Sequence, residues 1–317
     1  MTSRKHSFIF GPVVSRRLGR SLGVDLIPAK TCPYDCIYCE QGRTTCHTMQ
    51  RDAYVDVEAV LEEVAAFLAT HPAPDYITIS GAGEPALHTG LGELIQKIKS
   101  LTSVPVAVIT NGALFWQQEV RDALLHADVV LPSLDAGNEC LFQKIDRPVA
   151  GLSFAKMLEG LIAFRNEFSG ALWLEVFLMD GINDDEDSVR EIAAQVRLIR
   201  PDIVQINTVE RPPAMSRVKA VSFSVMERYV SFFEPEAEII SPRYIPDSGG
   251  VLLPQEAPVL EMLRRRPCPL EEIAEGLGFH RLETAKLLDR LVKEGRLCVM
   301  ERENKLFFGI GERYEQA

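Results

Sequence analysis

Three cysteines stand close together in the run Cys32-Pro33-Tyr34-Asp35-Cys36-Ile37-Tyr38-Cys39. Their spacing is three residues, then two. A tetrahedral zinc site usually takes four ligands from paired Cys-x-x-Cys knuckles, and no second knuckle follows. Cys46 and His47 offer a set of Cys36, Cys39, Cys46 and His47, but at an unusual spacing. A redox Cys-x-x-Cys pair would use Cys36 and Cys39 and leave Cys32 unexplained. Three thiolates in one tight loop suit an iron–sulfur cluster in which one iron has no protein ligand. An open coordination position is where metal chemistry happens. The other four cysteines, Cys46, Cys140, Cys268 and Cys298, are scattered and read as incidental or buried thiols.

The elements that must position this loop follow from periodicity. Short apolar runs rich in β-branched residues at 22–27, 75–80, 105–110, 128–131, 171–178 and 202–207 read as buried parallel strands. Between them, segments of helical period begin near 57, 91, 117, 154 and 185, with Asp56 and Ser153 as capping residues. Such alternation means βα units with right-handed crossovers. Six strands rather than eight predict an α/β fold, a partial (β/α)6 TIM-like barrel. At the C-terminal ends of the strands stand Glu84-Pro85, Asn111, Ser133, Asp135, Glu175 and Asn207, where barrels of this kind place their chemistry. Acids and amides inside apolar strands need partners. Asp184 and Asp185 read instead as caps of the following helix.

The chain has 317 residues, 46% hydrophobic and 25% charged, ample for a core without disulfides. No apolar run reaches the roughly 18 residues of a transmembrane helix, and the N-terminus lacks a secretory pattern. A cytoplasmic, reducing setting follows, where clustered cysteines mean metal or redox chemistry. The net charge of −11 speaks against gripping nucleic acid by charge.

A stretch of prolines and glycines at 241–254 reads as a linker between a barrel over 1–240 and a compact unit over 255–317. That unit shows three helical segments and two short strands, the pattern of a winged helix. Its third helix mixes both charge signs, and the unit carries 11 basic against 12 acidic residues. This balance speaks against DNA reading and for a peptide- or protein-binding module. Arg264-Arg265-Arg266 ends a helix, where the dipole favours positive charge.

The pattern Cys32-x-x-x-Cys36-x-Tyr38-Cys39 after the first strand of a partial barrel resembles the radical S-adenosylmethionine (radical SAM) enzymes. The resemblance implies that Cys32, Cys36 and Cys39 hold a [4Fe–4S] cluster. It implies that SAM chelates the open iron and is cleaved by one electron to a 5′-deoxyadenosyl radical, which abstracts a substrate hydrogen. Ser80-Gly81-Ala82-Gly83-Glu84-Pro85 is similar to the family's Gly-Gly-Glu-Pro motif beside the SAM amino group, with Ala82 in place of the first glycine. Tyr38, Gly81, Gly83, Glu84, Pro85, Asn111, Ser133 and Asp135 are thereby candidate cofactor contacts. The electron would come from a donor such as flavodoxin or ferredoxin.

More narrowly, Gly11-Pro12 through Gly23, Ser133-Leu134-Asp135-Ala136, Asp146-Arg147-Pro148 and Val204 to Pro213 resemble the wyosine-synthase-related radical SAM proteins. Their better-known members, the 4-demethylwyosine synthases, act on N-methylguanosine in tRNA and carry a second cluster. Here no cysteine precedes Cys32, and residues 1–254 carry 23 basic against 33 acidic residues. The fold and SAM chemistry are carried over, and the tRNA substrate is not. Arg16, Arg17, Glu175, Asn207 and Arg211 are candidate substrate contacts. The substrate class stays open among RNA, peptide and small molecule. A competing reading, a regulator that senses through a cluster and reads DNA, has no use for a cofactor barrel.

Overall fold

The structure is a computed structural model that describes residues 8–240, 253–302 and 305–310. Most of the 241–254 linker thus lies outside the described residues. The elements begin with β1 (Ile9–Ser15), β2 (Gly19–Val24), β3 (Thr31–Cys32), β4 (Cys46–His47) and α1 (Val57–Thr70). Next come β5 (Tyr76–Ile79), α2 (Leu91–Leu101), β6 (Val106–Thr110), α3 (Gln118–Leu124), β7 (Val129–Pro132), α4 (Glu139–Ile145) and α5 (Phe154–Glu167). Then follow β8 (Ala171–Leu178), α6 (Glu186–Ile199), β9 (Ile203–Thr208), α7 (Phe223–Tyr229) and β10 (Glu238–Ile239). The C-terminal unit holds α8 (Glu256–Arg265), β11 (Cys268–Pro269), α9 (Leu270–Gly276), α10 (Arg281–Lys293), β12 (Cys298–Arg302) and β13 (Lys305–Gly309).

One mixed sheet runs β1-β2-β5-β6-β7-β8-β9-β10. All neighbours are parallel except β1, which runs antiparallel to β2. The six expected strands all form. Two edge strands are additional: β1, whose Gly11-Pro12 interrupts any strand pattern, and β10, only two residues long. Three of the expected caps form: Asp56 accepts from Glu58 N, Ser153 from Lys156 N, and Asp185 from Ser188 N. Asp184 does not cap α6, since its Oδ1 accepts from Gly181 N at 2.8 Å in the preceding turn.

Period-two alternation gives the sheet two faces. Leu22, Ile77, Val106, Val130, Leu174 and Val204 point into the main core with the helices. On the other face Leu18, Ala107, Val129 and Leu131 form a smaller cluster beside Ile109 and Trp173. That same face carries Thr78, Glu175, Gln205 and Asn207 by strand parity. Ser21 and Thr78 hydrogen-bond across it at 2.5 Å.

The β1–β2 turn reaches the far strands of the sheet. Arg17 Nη1 donates to Glu175 Oε2 on β8 at 2.7 Å, and Arg16 Nη1 to Glu210 beyond β9 at 2.5 Å. The two ends of the sheet are therefore tied to one another through this turn.

The C-terminal unit packs on the same hairpin. Val13 of β1 is buried in a cluster with Val259, Leu263, Ile273, Leu288 and Leu291. Its three-stranded sheet has the order β11-β13-β12. A buried arginine adds a polar tie. Arg211 Nη1 donates to both carboxylate oxygens of Glu40, at 3.1 and 2.9 Å, and its Nη2 to both of Glu272, at 3.0 and 2.9 Å. Glu40 directly follows Cys39, and Glu272 sits in α9. Arg266 joins the group through Glu272 at 2.5 Å. Burial alone would push Glu272 up, but the charges of Arg211 and Arg266 outweigh it and hold its carboxyl at about 2. Glu40 is held below the usual range against the same burial effect, chiefly by Arg211.

Two measurements test this frame. Phe164 is fully buried, with Phe115 and Phe168 at centroid distances of 4.8 and 4.7 Å. Phe164→Ala is expected to lower the urea-unfolding free energy by about 3–5 kcal/mol. Because Glu272 is depressed in the folded chain, its contribution is complete above its ordinary value of 4.5 and is lost as pH falls toward 2. A shift of that size is worth about 3 kcal/mol. The urea midpoint should drop across that window, and Glu272→Gln should flatten the drop while lowering the midpoint at pH 7.

Candidate active site

The three cysteines lie on the loop that leaves β2, and none forms a disulfide. Backbone bonds fix the loop on both sides. Lys30 N donates to Ala82 O at 2.7 Å, and Lys30 O accepts from Thr45 N and Cys46 N at 3.0 and 2.9 Å. Ile37 N bonds Ile145 O and Asp35 N bonds Asp146 O, each at 3.0 Å, which pins the loop to the end of α4. Asp35 accepts from Thr44 N at 2.8 Å and pairs with Arg43 at 2.7 Å, closing the loop on itself.

Each sulfur has a polar neighbour. Cys32 Sγ accepts from Tyr34 N at 3.4 Å and from Asn111 Nδ2 at 3.3 Å. Cys39 Sγ accepts from Lys30 Nζ at 3.4 Å. Cys36 Sγ donates to Asp146 Oδ1 at 3.4 Å. Burial, then the nearby charges of Glu84 and Asp146, push the Cys32 and Cys36 thiols up. As thiolates these groups call for added positive charge in their midst, which iron supplies. Among the described residues no three His, Cys, Asp or Glu side chains converge on a single metal ion. The alternative set of Cys36, Cys39, Cys46 and His47 is thus not gathered either, and His47 Nε2 bonds the Pro33 carbonyl at 2.9 Å. Three thiolates that serve different irons of one cluster have no need to converge, and the donor set fits that group.

The turn after β5 lies against this loop. Gly83 must be glycine, since a Cβ there would stand 2.6 Å from Thr31 O and collide with Ile27. A Cβ on Gly81 would strike the Asp25 carboxylate. Glu84, 3% exposed, is consumed within the chain. Its Oε1 accepts from Ala86 N at 3.0 Å and Thr110 Oγ1 at 2.5 Å, and its Oε2 from Asn111 N at 2.8 Å. Glu84 thus orients the end of β6, and Asn111 in turn reaches Cys32. Pro85 begins a short 3₁₀ turn that Glu84 caps.

Tyr38 stacks on Phe177 at 4.2 Å and 16°, and its hydroxyl donates to Asp135. Asp135 also accepts from Phe177 N at 3.0 Å, while its carbonyl accepts from Asn183 Nδ2 at 2.9 Å. Burial first, then Asp146, pushes the Asp135 carboxyl well up. Ser133 pairs with Glu175 as an isolated bridge that extends the β7–β8 ladder.

The five substrate candidates are brought together, largely by pairing with one another or with nearby acids. Asn207 Nδ2 donates to Glu175 Oε2 at 3.1 Å, and Arg16 Nη1 reaches Asn207 Oδ1 at 3.4 Å. Arg17 meets Glu175, and Arg211 holds Glu40 and Glu272. Arg147 pairs weakly with Asp35 at 3.8 Å. A cavity of about 860 Å³ adjoins this network. Its walls come from β1 (Phe10, Val13), the open sheet face (Thr78, Ile109), the cofactor turn (Ser80, Gly81) and the C-terminal unit (Met262, Leu270, Phe308). Gln41, two residues past Cys39, also lines it, and its Oε1 is enclosed with no hydrogen-bond partner among the described residues. A second bridge links the C-terminal unit to the cofactor turn: Arg265 Nε stands 3.7 Å from Asp25 Oδ2, and Asp25 accepts from Ala82 N at 3.3 Å.

Sequence reasoning missed Lys30, Glu40, Gln41, Asp146 and Asp25 as site residues. Lys30 stands two before Cys32, and Glu40 and Gln41 directly follow Cys39, so adjacency to the motif was the available signal. Asp146 had only its place in Asp146-Arg147-Pro148. Asp25 had none.

Comparison with known proteins agrees with this geometry. The family model "Radical SAM superfamily" matches residues 26–193. A UPF0026 protein of Methanocaldococcus jannaschii is 31% identical over 308 residues, 94% of each chain. A protein named GTPase Obg from Brachyspira hyodysenteriae is 40% identical over 292 residues, 91% of this chain, which spans only 43% of that relative. Among solved structures, a radical SAM methyltransferase from Sphaerobacter thermophilus superposes with a TM-score of 0.50 at 16% identity, covering 69% of this chain and 65% of that one. No helix among the described residues is long and apolar enough to cross a membrane. The chain belongs to the radical SAM superfamily, and it is an enzyme whose cofactors are a [4Fe–4S] cluster and S-adenosylmethionine.

Proposed function

We propose that this enzyme holds one [4Fe–4S] cluster through Cys32, Cys36 and Cys39, and that it modifies an unidentified substrate by hydrogen abstraction. The observation that carries the reading is the relay from Glu84 through Asn111 to Cys32, which ties the cofactor turn to the cysteine loop. When bound, the cluster supplies one electron for reductive cleavage of SAM to a 5′-deoxyadenosyl radical. The protein's own groups bind and orient. Gly81 and Gly83 let the backbone approach a SAM ammonium, and Pro85 stiffens the turn. Asn111, Ser133 and Asp135 stand along the strand ends to meet the remaining SAM groups. Tyr38, held by Phe177 and Asp135, anchors the loop between Cys36 and Cys39. The electron donor is of the flavodoxin or ferredoxin kind, and the setting is cytoplasmic.

The sheet is read as a partial barrel over residues 1–240, closed laterally by the β1–β2 turn. Residues 255–317 are read as a winged helix joined by the 241–254 linker. The cavity between them is the substrate chamber, with Arg16, Arg17, Glu175, Asn207 and Arg211 on or beside its wall. Arg302 of β12 donates to Arg211 O at 2.8 Å and Val218 O at 3.2 Å, so part of this hairpin is engaged in docking. That engagement favours recognition of a substrate held against the barrel over reading of DNA. Kinship with the wyosine-synthase group rests on the sequence motifs, and a tRNA substrate finds no support in the charge. A peptide or protein presented by the C-terminal unit is the second reading, favoured by the apolar residues that unit adds to the cavity.

Anaerobic reconstitution should give close to four irons per chain, a value set by the proposed cluster. Dithionite with SAM should then yield 5′-deoxyadenosine. Cys32→Ala, Cys36→Ala and Cys39→Ala should each bring cluster absorbance and 5′-deoxyadenosine to background. An iron-free wild-type chain after reconstitution would overturn the reading.

A further inference from the structure

Lys30 is 7% exposed, yet among the described residues it forms no ion pair with a carboxylate. Its ammonium donates to Cys39 Sγ at 3.4 Å and to the Gly42 carbonyl. A buried cation is retained only where an anion or a full set of acceptors offsets its lost hydration. One carbonyl and one cysteine sulfur are a poor set. Lys30 also adopts φ of +65°, a left-handed conformation in which glycine or asparagine is ordinarily found. Its backbone is fully engaged there, bonded to Ala82 on one side and to Thr45 and Cys46 on the other. Those bonds are open to any non-proline residue, so they give no reason for lysine. The side chain does: from this backbone it is delivered to the sulfur of a cluster ligand.

We infer that Lys30 is the fixed counter-charge of the iron–sulfur centre and raises its reduction potential. The inference rests on the assignment of Cys32, Cys36 and Cys39 as cluster ligands. One electron from a low-potential one-electron donor adds one negative charge to the centre. A cation held beside a ligand sulfur favours that reduced form over the oxidised one. A hydrogen bond to the sulfur acts in the same direction, by withdrawing charge from the thiolate. Lys30 is a positioning and tuning residue, since it touches a ligand rather than the substrate.

The test is an EPR-monitored potentiometric titration of the reconstituted full chain, without SAM, alongside iron analysis. Wild type, Lys30→Met and Lys30→Arg are compared. Methionine keeps the length and the backbone demand but removes the charge. At a fixed potential, Lys30→Met should show at least a tenfold lower ratio of reduced to oxidised cluster, a downward shift of about 59 mV. Lys30→Arg should stay within about threefold of wild type on the same scale. A Lys30→Met titration that overlays wild type overturns the inference. Should Lys30→Met fail to retain iron, Lys30→Arg decides. A full cluster there supports the charge, and loss of iron there assigns the position to shape alone and overturns it. Iron analysis keeps the two claims apart: a wild type without iron fails the cluster assignment itself, and this inference falls with it.

Discussion

The concentration of negative charge around one loop is the constraint that organises this molecule. Three thiols share a short loop with Asp35, Asp146 at the end of α4 faces them, and Glu84 and Asp135 stand on the adjoining strand ends. Burial makes the charges of Cys32, Cys36, Glu84, Asp135 and Asp146 harder to hold. The chain answers with cations and donors placed from separate directions. Arg43 and Arg147 meet Asp35, Asn111 and Lys30 meet sulfurs, and Arg211 meets Glu40 just beyond the third cysteine. Glu84 needs no cation, because three donors from its own and the next βα unit satisfy it. On the proposed assignment of Cys32, Cys36 and Cys39 as ligands, most of the thiolate charge is left for an iron cluster to compensate.

The same electrostatics explains why the C-terminal unit is part of the site. Arg211 carries one charge between two carboxylates, one on the cluster loop and one on α9. Arg266 supplies the second positive charge that the pair requires. Arg265 does the same for Asp25 beneath the cofactor turn. Two separate ionic links thus run from the last 63 residues to the cysteine loop and to the segment that holds the turn after β5, and the apolar cluster around Val13 joins the same unit to β1. A unit held this way forms a wall of the cavity.

The candidate substrate contacts we propose are concentrated where the β1–β2 turn crosses to the far strands. Arg16 and Arg17 stand at the start of the chain and meet Glu175, Asn207 and Glu210 well over a hundred residues later. Each charge is satisfied at a half-buried position, so a substrate would exchange partners with groups already in place instead of meeting bare ions. That limits the reorganisation a ligand must drive.

The βα order, the strand spans, the helix caps and the three-cysteine loop were all legible in the sequence, because each is a local property. Period two or 3.6, a capping side chain and a motif spacing are written within a few residues of one another. The second set of site residues was not. Asp25, Glu40 and Asp146 are ordinary acids in their local context, and only folding brings Arg265, Arg211 and Cys36 to them. The strand β1 escaped because Gly11-Pro12 breaks its pattern, and β10 because two residues carry no period. The sequence by itself determined the cofactor chemistry, since thiol spacing is a covalent fact of the chain. Tertiary structure decided which charges neutralise which, because electrostatic energy in a buried site depends on distances of a few ångströms between residues far apart in the chain.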